Sequence, residues 1–250
     1  MERIQKYLAN QGLASRRQIE KMIAEGRISV NGKPAKVGDK VEGKERFTVD
    51  GKPYRVNTQH YKPKLLMYHK PIGEVCTRND PEGRKTVYAN LPRLQQGRWV
   101  GVGRLDINTS GILLFTNHGE LANRLMHPKY QVEREYAVRV RGEVTDEILE
   151  QLKTGVELED GTSHFDHIID VGGEGTNHWY HVILREGKNR EVRRLWEAVD
   201  CEVSRLQRVR YENFSLPKWL RATKFRFFED DTVKRVFDRL ELSYPEKTKR

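Results

Sequence analysis

The sequence predicts an α+β protein in which a small helix-helix-hairpin module precedes a larger domain with a mixed, largely antiparallel sheet flanked by helices. Positive charge is concentrated at the front, because residues 1–60 hold 13 Lys and Arg against 7 Asp and Glu. In residues 61–250, strand and helix patterns interleave without the regular alternation of a doubly wound parallel sheet. These two observations predict a domain boundary near residue 60, with a polar linker at residues 57–64.

Composition narrows the class of protein. The chain has 250 residues and a formal net charge of +10, which favours a polyanionic partner. It has no apolar run of about 18 residues and no apolar signal segment at its start, so we expect a soluble, cytoplasmic protein, most simply a monomer. Cys76 and Cys201 are far apart and lack CxxC or histidine neighbours, which argues against a disulfide framework and a zinc site.

The front module is predicted from local signals. A short helical stripe contains Ile4, Tyr7 and Leu8, and Ser15 stands three residues before Gln18 at the spacing of a capping box. A second helix then extends to Gly26, with Ile19, Met22 and Ile23 on its inner face. Residues 28–30 precede Asn-Gly and residues 47–49 precede Asp-Gly, and both patterns are typical of β-hairpins.

The larger domain begins with an apolar strand at residues 65–68. Further strands are predicted at residues 112–116, 133–140, 178–184 and 203–211, and helices at 119–126, 145–152 and 190–199, with a last helix around residues 233–240. Tyr136, Val138 and Val140 share one face of their strand because side chains alternate along it. Residues 76–86 form a charged loop, and the basic end of the chain, residues 245–250, is predicted to be loose.

The loop before the strand at residues 112–116 contains Arg104 and Asp106 among small residues. One interpretation is a surface turn in which Asp106 or Asn108 bonds its own backbone. The other is a reactive carboxylate placed beside a rigid sheet. The loop alone leaves both open.

Most other chemical motifs are absent. No complete dinucleotide fingerprint, P-loop, HExxH or GxSxG pattern occurs, and the eight histidines show no ligand spacing. The sequence therefore predicts neither a cofactor nor a metal.

The front module resembles the S4 RNA-binding domain. The residues that carry this resemblance are 3–9 (RIQKYLA), 15–17 (SRR) and 25–32 (EGRISVNG). The resemblance implies a basic face that contacts RNA phosphates and gives affinity rather than sequence selectivity. The predicted RNA-binding residues of this face are Arg16, Arg17, Lys21, Arg27 and Lys33.

The larger domain resembles the pseudouridine synthases, in particular the branch that acts on ribosomal RNA and carries an N-terminal S4 domain. Three segments match the family signatures in order: residues 103–114 (GRLDINTSGILL), 135–136 (EY) and 186–194 (EGKNREVRR). The resemblance implies isomerisation of uridine to pseudouridine in ribosomal RNA. Large-subunit RNA near the peptidyl-transferase region is the expected target, and small-subunit RNA is the alternative.

The resemblance also implies the roles of individual residues. Asp106 is the catalytic carboxylate, Tyr136 stacks on the uracil, and Arg193 keeps Asp106 ionised. Arg104 fills the gap left by the flipped nucleotide. Leu195 is either a contact to the base or ordinary core.

Two other functions remain to be separated from this one by experiment. A non-catalytic S4-type RNA-binding or ribosome-associated protein would not need Asp106, Tyr136 and Arg193 together. A methyltransferase would need a glycine-rich cofactor loop after a strand, which the sequence lacks.

Overall fold

The computed structural model describes residues 1–56, 62–95, 97–174 and 177–245. The domain boundary predicted near residue 60 lies outside these ranges. So do most of the predicted linker and residues 246–250 of the predicted basic tail.

The front module consists of two short helices beside short strands. Its elements are β1 (Glu2–Arg3), α1 (Ile4–Asn10), α2 (Arg16–Ala24), β2 (Ile28–Val30), β3 (Lys33–Pro34), β4 (Lys40–Val41), β5 (Phe47–Val49) and β6 (Lys52–Tyr54). The predicted cap is present, because Ser15 Oγ accepts a hydrogen bond from the Gln18 N–H at 3.1 Å. The predicted inner face of α2 is buried in a core of its own. Local signals therefore predicted this module well.

Both predicted hairpins form. Strands β2 and β3 pair around Asn31 and Gly32, and β5 and β6 pair around Asp50 and Gly51. All four turn residues have positive φ, between 50° and 80°, as the tight hairpin turns of this type require. Pairing of β2 with β5 joins the two hairpins into the order β3-β2-β5-β6.

The larger domain contains the remaining elements. They are β7 (Leu65–Lys70), β8 (Val100–Val102), β9 (Ser110–Thr116), α3 (Gly119–Met126), β10 (Arg134–Arg141), α4 (Asp146–Thr154), β11 (Val156–Leu158), β12 (Gly161–Ser163), β13 (His167–Glu174), β14 (Asn177–Leu184), α5 (Glu191–Glu197), β15 (Glu202–Tyr211), β16 (Phe214–Ser215), β17 (Phe225–Phe227) and α6 (Asp230–Arg239). Short 3-10 turns occur at Val87–Asn90 and Pro128–Tyr130.

One mixed sheet organises the larger domain. Its strand order is β13-β14-β10-β15-β9-β7-β17, with β16 beside β15 and β8 beside β9. Neighbouring strands are antiparallel except β9 and β15, which pair in parallel at Ser110–Gln207 and Gly111–Arg208. The predicted fold class, a mixed and largely antiparallel sheet flanked by helices, is confirmed.

Hydrophobic cores lie on both faces of this sheet. Alternate residues of β7 and β9 point to opposite faces, so Leu66 and Leu113 join one core while Leu65 and Ile112 join the other. The first core includes residues of α4 and α5, and the second includes residues of α3 and α6. The loop that contains Arg104 and Asp106 leads directly into β9. It is therefore attached to a strand that is packed on both faces of the sheet.

The structure differs from the prediction where the sequence pattern for a strand or a helix boundary is weak. Strand β13 was not predicted, because its outward residues Ile169 and Val171 remain exposed and the strand lacks a clean polar alternation. Helix α5 begins one residue later than predicted, because Arg190 adopts a left-handed conformation with φ of 49°. The charged loop at residues 76–86 is held by Arg84, whose guanidinium forms two hydrogen bonds with Asp80.

Candidate active site

A cleft of about 1030 Å³ opens beside the loop that precedes β9. Its walls come from this loop, from β10 and β15, and from the segment before α5. Residues that line it include Arg104, Asp106, Tyr136, Leu206, Arg208 and Tyr211. The structure therefore brings three of the predicted site residues, Arg104, Asp106 and Tyr136, to one cavity.

Close backbone packing fixes the strand that follows the Asp106 loop. Gly111 has a φ of +113°, and a Cβ atom added there would lie 2.2 Å from the Arg208 carbonyl oxygen. Only glycine allows this approach of β9 to β15, because any side chain would collide with the backbone. The loop itself closes with a hydrogen bond from the Thr109 N–H to the Asp106 carbonyl at 3.0 Å.

Lys70 anchors the Asp106 loop from below. Its side chain is fully buried, and its ammonium donates to the carbonyl oxygens of Pro71, Asp106 and Thr109 at 2.9, 2.9 and 2.8 Å. Burial lowers the pKa of this ammonium from its ordinary value of 10.5. The sequence pattern placed Lys70 only at the end of a strand. The one feature that could have indicated its buried role was a lysine directly after an apolar run.

Tyr136 lies on β10 with Val138 and Val140 on the same buried face, as predicted. Its ring is about nine-tenths buried and lines the cleft. The Arg208 guanidinium carbon lies 6.0 Å from its ring centroid. This position allows the ring to contact a base that enters the cleft.

Arg193 reaches the Asp106 loop through the main chain. The buried guanidinium donates to the Val203 carbonyl at 2.8 Å and to the Asn108 carbonyl at 3.1 Å. In the described residues it forms no ion pair with Asp106 within 4.0 Å, and it does not line the cleft. Burial is the main cause of its lowered pKa, and the charge of Asp106 opposes that shift. Its contact with the loop is thus positional as well as electrostatic.

Arg208 was not predicted as a site residue, although the sequence placed it on a strand. Its side chain is 2% exposed, lines the cleft, and donates from Nε to the Ile112 carbonyl at 2.9 Å. Its guanidinium carbon is 4.9 Å from the Tyr211 ring centroid, so it lies between Tyr211 and Tyr136. One terminal nitrogen, Nη2, is buried without a hydrogen-bond partner. A donor in this state is available to a ligand in the cleft.

Arg104 and Leu195, the two other residues to which the resemblance gave a role, differ in their relation to the cleft. Arg104 is exposed at the rim, and no carboxylate of the described chain pairs with it. Leu195 is fully buried and does not line the cleft, so its place is in the core. Leu206 on β15 lines the cleft instead. Periodicity could not distinguish the two leucines, because both belong to apolar stripes.

The basic residues predicted on the front module differ in whether a carboxylate of the protein already pairs with them. Arg27 forms a two-bond ion pair with Asp50, at 2.6 and 2.9 Å, and these hydrogen bonds raise its pKa. The Lys21 ammonium nitrogen lies 3.7 Å from a carboxylate oxygen of Glu25. Arg16, Arg17 and Lys33 have no carboxylate partner among the described residues. The last three are therefore the cations most available to a polyanion.

Within the described ranges, no group of three or more His, Cys, Asp and Glu side chains could hold a metal ion. In the same ranges, no helix has the length and apolar character needed to cross a membrane.

Comparison with known proteins matches both parts of the chain. Residues 64–198 match the family described as RNA pseudouridylate synthase, and residues 2–47 match the S4 domain. A crystal structure of a pseudouridylate synthase is similar in fold, with a TM-score of 0.65 at 21% identity, covering 94% of this chain and all of that one.

Several curated relatives share more than half of their aligned residues with this chain. Ribosomal large subunit pseudouridine synthase B from Pseudomonas aeruginosa is 56% identical over 90% of this chain, and that from Yersinia pestis is 57% identical over 88%. The Escherichia coli relative of the same name is also 57% identical over 88%. The chain spans 59%, 70% and 76% of the lengths of these three proteins.

Proposed function

Because the chain belongs to the RNA pseudouridylate synthase family, we propose that it isomerises a uridine of large-subunit ribosomal RNA to pseudouridine. The observation that carries this proposal is the placement of Asp106 on an anchored loop at a large cleft that Tyr136 also lines. Phosphate binding alone would require neither an aspartate nor a buried aromatic ring there.

The reaction explains the need for a carboxylate. The bond from uracil N1 to C1′ of the ribose breaks, the base rotates, and C5 bonds to C1′ while the C5 proton moves to N1. Asp106 either attacks C1′ or removes the C2′ proton to give a glycal, and both routes require the ionised carboxylate. The product is an isomer of the substrate, so the atoms balance without an added cofactor.

Two cations hold the main chain of the Asp106 loop. The Lys70 ammonium bonds the Asp106 carbonyl, and the Arg193 guanidinium bonds the neighbouring Asn108 carbonyl. Both cations interact electrostatically with the Asp106 carboxylate. In this proposal Arg193 is a positioning residue that acts on the Asp106 loop through the Asn108 carbonyl.

Access to C1′ requires the target nucleotide to leave its stack, at a cost of a few kcal/mol. Arg104, exposed at the rim and free of a carboxylate partner in the described chain, is positioned to occupy the vacated space. Tyr136 would then stack on the uracil within the cleft.

RNA docking is assigned to the front module. Arg16, Arg17 and Lys33 lack carboxylate partners in the described residues, so they are the principal phosphate contacts. Lys21 and Arg27 contribute less, because Glu25 and Asp50 already neutralise them in part. The proposed target lies near the peptidyl-transferase region, and the proposed location of the enzyme is the cytoplasm.

The test is incubation of unmodified ribosomal RNA with the protein and no added cofactor, followed by mapping of pseudouridine. Product at one uridine of large-subunit RNA supports the proposal. Asp106→Asn is expected to abolish product while preserving RNA affinity, because the substitution keeps the shape of the side chain and removes its charge. RNA binding without product from the wild-type protein would instead support the non-catalytic RNA-binding alternative, and an active Asn variant would exclude Asp106 as the catalytic group.

A further inference from the structure

A second, smaller cavity lies where the front module meets the larger domain. Its volume is about 300 Å³, and we call it the junction pocket. The front module contributes Asn10, Arg16 and Arg17 to its lining, and the larger domain contributes Arg98, Gly119 and Asn123. The two parts touch nearby, because Lys6 and Glu120 form an ion pair of 3.6 Å.

The junction pocket holds positive charge without a protein counter-charge. Arg16, Arg17 and Arg98 line it, and none has a carboxylate partner in the parts of the chain that are described. Arg98 Nε is buried and has no acceptor among the described residues. The neighbouring acidic residues already have partners, since Glu120 pairs with Lys6 and Arg124, and Glu2 pairs with Lys6 and accepts a hydrogen bond from Asn10. An anion would therefore satisfy several groups at once.

A further cation lies close to the pocket. The Arg78 guanidinium stacks 4.2 Å above the Tyr88 ring centroid. Burial lowers the pKa of Arg98, and the positive charges of Arg78 and Arg16 lower it further. Arginines contributed by three separate segments thus repel one another at this point. Such an arrangement is unfavourable in the free protein and becomes favourable when an anion is bound.

The N-terminus of helix α2 adds to the positive electrostatic potential of the junction pocket. Arg16 and Arg17 are its first two residues, and its first turn contains no acidic residue. Cations at a helix N-terminus oppose the helix dipole, whereas anions there are stabilised. The main-chain N–H groups of Arg16 and Arg17 also have no acceptor in the described structure. They add two donors at the positive end of the helix.

The junction pocket adjoins the cleft that contains Asp106. Val100 and Met126 line both cavities, so the two lie side by side. A phosphodiester chain has the length to extend from the cleft to the junction pocket and the charge to bind the arginines there. Guanidinium groups bind phosphate oxygens through two parallel hydrogen bonds, which fixes orientation as well as affinity.

We propose that the junction pocket binds one backbone phosphate of the RNA strand whose uridine enters the cleft at Asp106. This inference rests on the proposed function and adds a fixed point between the docking module and the reacting nucleotide. Because Arg16 and Arg98 belong to different parts of the chain, the bound phosphate would set the register of the RNA relative to Asp106. The pocket would thereby contribute to the choice of uridine.

The test compares Arg98→Gln, Arg16→Gln and the double variant with Arg141→Gln as a matched control. Arg141 is exposed at the far end of β10, roughly 17 Å along the strand from Tyr136, and its replacement removes the same charge. The probe is an unmodified transcript of large-subunit ribosomal RNA, bound at several salt concentrations. Each pocket variant should bind about tenfold more weakly. Its salt slope should also fall by about 0.7–0.9, the value for one lost phosphate contact.

The double variant tests whether both arginines hold the same phosphate. Shared binding predicts a loss smaller than the product of the two single losses, because removal of one partner already weakens the other contact. Multiplied losses, or losses no larger than that of Arg141→Gln, would overturn the proposal. Thermal unfolding of each variant establishes that weaker binding does not arise from misfolding.

Ethylation interference identifies the phosphate directly. RNA ethylated at random phosphates is separated into bound and unbound fractions. Ethylation of one phosphate near the modified uridine should weaken binding of the wild-type protein and should have a smaller effect on binding of Arg98→Gln. An identical interference pattern for both proteins would overturn the proposal.

Binding and chemistry remain distinguishable. At saturating enzyme, the control Arg141→Gln should form pseudouridine at a single-turnover rate within about threefold of wild type, since Arg141 lines neither the cleft nor the junction pocket. A wild-type protein that forms no pseudouridine would refute the proposed function, while the affinity and ethylation measurements would still decide whether the junction pocket binds RNA phosphate.

Discussion

The Lys70 ammonium nitrogen lies 2.9 Å from the Asp106 carbonyl oxygen, and this hydrogen bond ties strand β7 to the loop that carries the candidate catalytic carboxylate. The same ammonium also binds the Thr109 carbonyl at the other end of the loop. One buried cation therefore holds both ends of a turn whose side chain must be placed accurately against the ribose.

Lys70→Met is expected to lower the single-turnover rate more than the RNA affinity. The substitution keeps an unbranched chain but leaves three carbonyls, of which that of Thr109 is buried, without their donor, which should destabilise the fold by at least about 2 kcal/mol. Thermal unfolding and single-turnover kinetics measure the two effects. Lys218→Met, at an exposed position, serves as the control. Full activity of a stably folded Lys70→Met protein would show that the loop does not depend on this anchor.

Arg208→Lys is expected to slow the single-turnover rate by about tenfold while RNA affinity changes less than about twofold. Lysine keeps the positive charge but loses the planar group between Tyr136 and Tyr211 and the unpartnered Nη2 donor. The control is Arg205→Lys, an exposed position on the same strand. Equal rates for the two variants would indicate that the guanidinium shape is not used in the cleft.

Gly111→Ala is expected to destabilise the protein by more than about 3 kcal/mol or to prevent folding. The added Cβ would lie 2.2 Å from the Arg208 carbonyl oxygen and would separate the only parallel pair of strands in the described sheet. Gly38→Ala isolates the backbone contribution, because Gly38 has a φ of +96° and open space around it. Its cost should be about 1–2 kcal/mol. Urea unfolding measures both, and equal losses would show that β9 can move away from β15.

Glu135→Gln is expected to lower stability by about 1 kcal/mol at pH 7. Glu135 accepts hydrogen bonds of 2.7 Å from Arg210 and from His181, which join β10 to its two neighbours. Partial burial acts to raise the pKa of Glu135, but these hydrogen bonds bring it below its ordinary 4.5.

The depressed pKa sets the pH dependence of this contribution. The unfolded carboxyl takes up a proton more readily than the folded one, so the stabilisation is complete above pH 4.5 and is lost as the pH falls through the folded pKa. The difference in unfolding midpoint between wild type and Glu135→Gln should therefore shrink below pH 4.5. Glu150→Gln, which removes an exposed ion pair with Lys153, should show a difference near zero at pH 7. If the difference in unfolding midpoint between wild type and Glu135→Gln did not depend on pH, the pKa of Glu135 would not be lowered by its hydrogen bonds.

Sequence alone determined the features that depend on neighbouring residues. The Ser15 cap, the two glycine-containing hairpin turns and the buried inner face of α2 were predictable because each is set within a few residues of the chain. The three ordered motifs likewise indicated the family, and with it the Asp106 loop and the strand of Tyr136.

Tertiary structure alone decided which side chains surround that loop. Lys70 and Arg208 follow ordinary strand patterns, yet they bind carbonyls 36 and 96 residues away. Leu206 rather than Leu195 faces the cleft, although both belong to apolar stripes. The junction pocket likewise combines Arg16 with Arg98, from two separate parts of the chain. Hydrophobic periodicity records only whether a side chain is buried, whereas its partner is fixed by long-range strand pairing and packing.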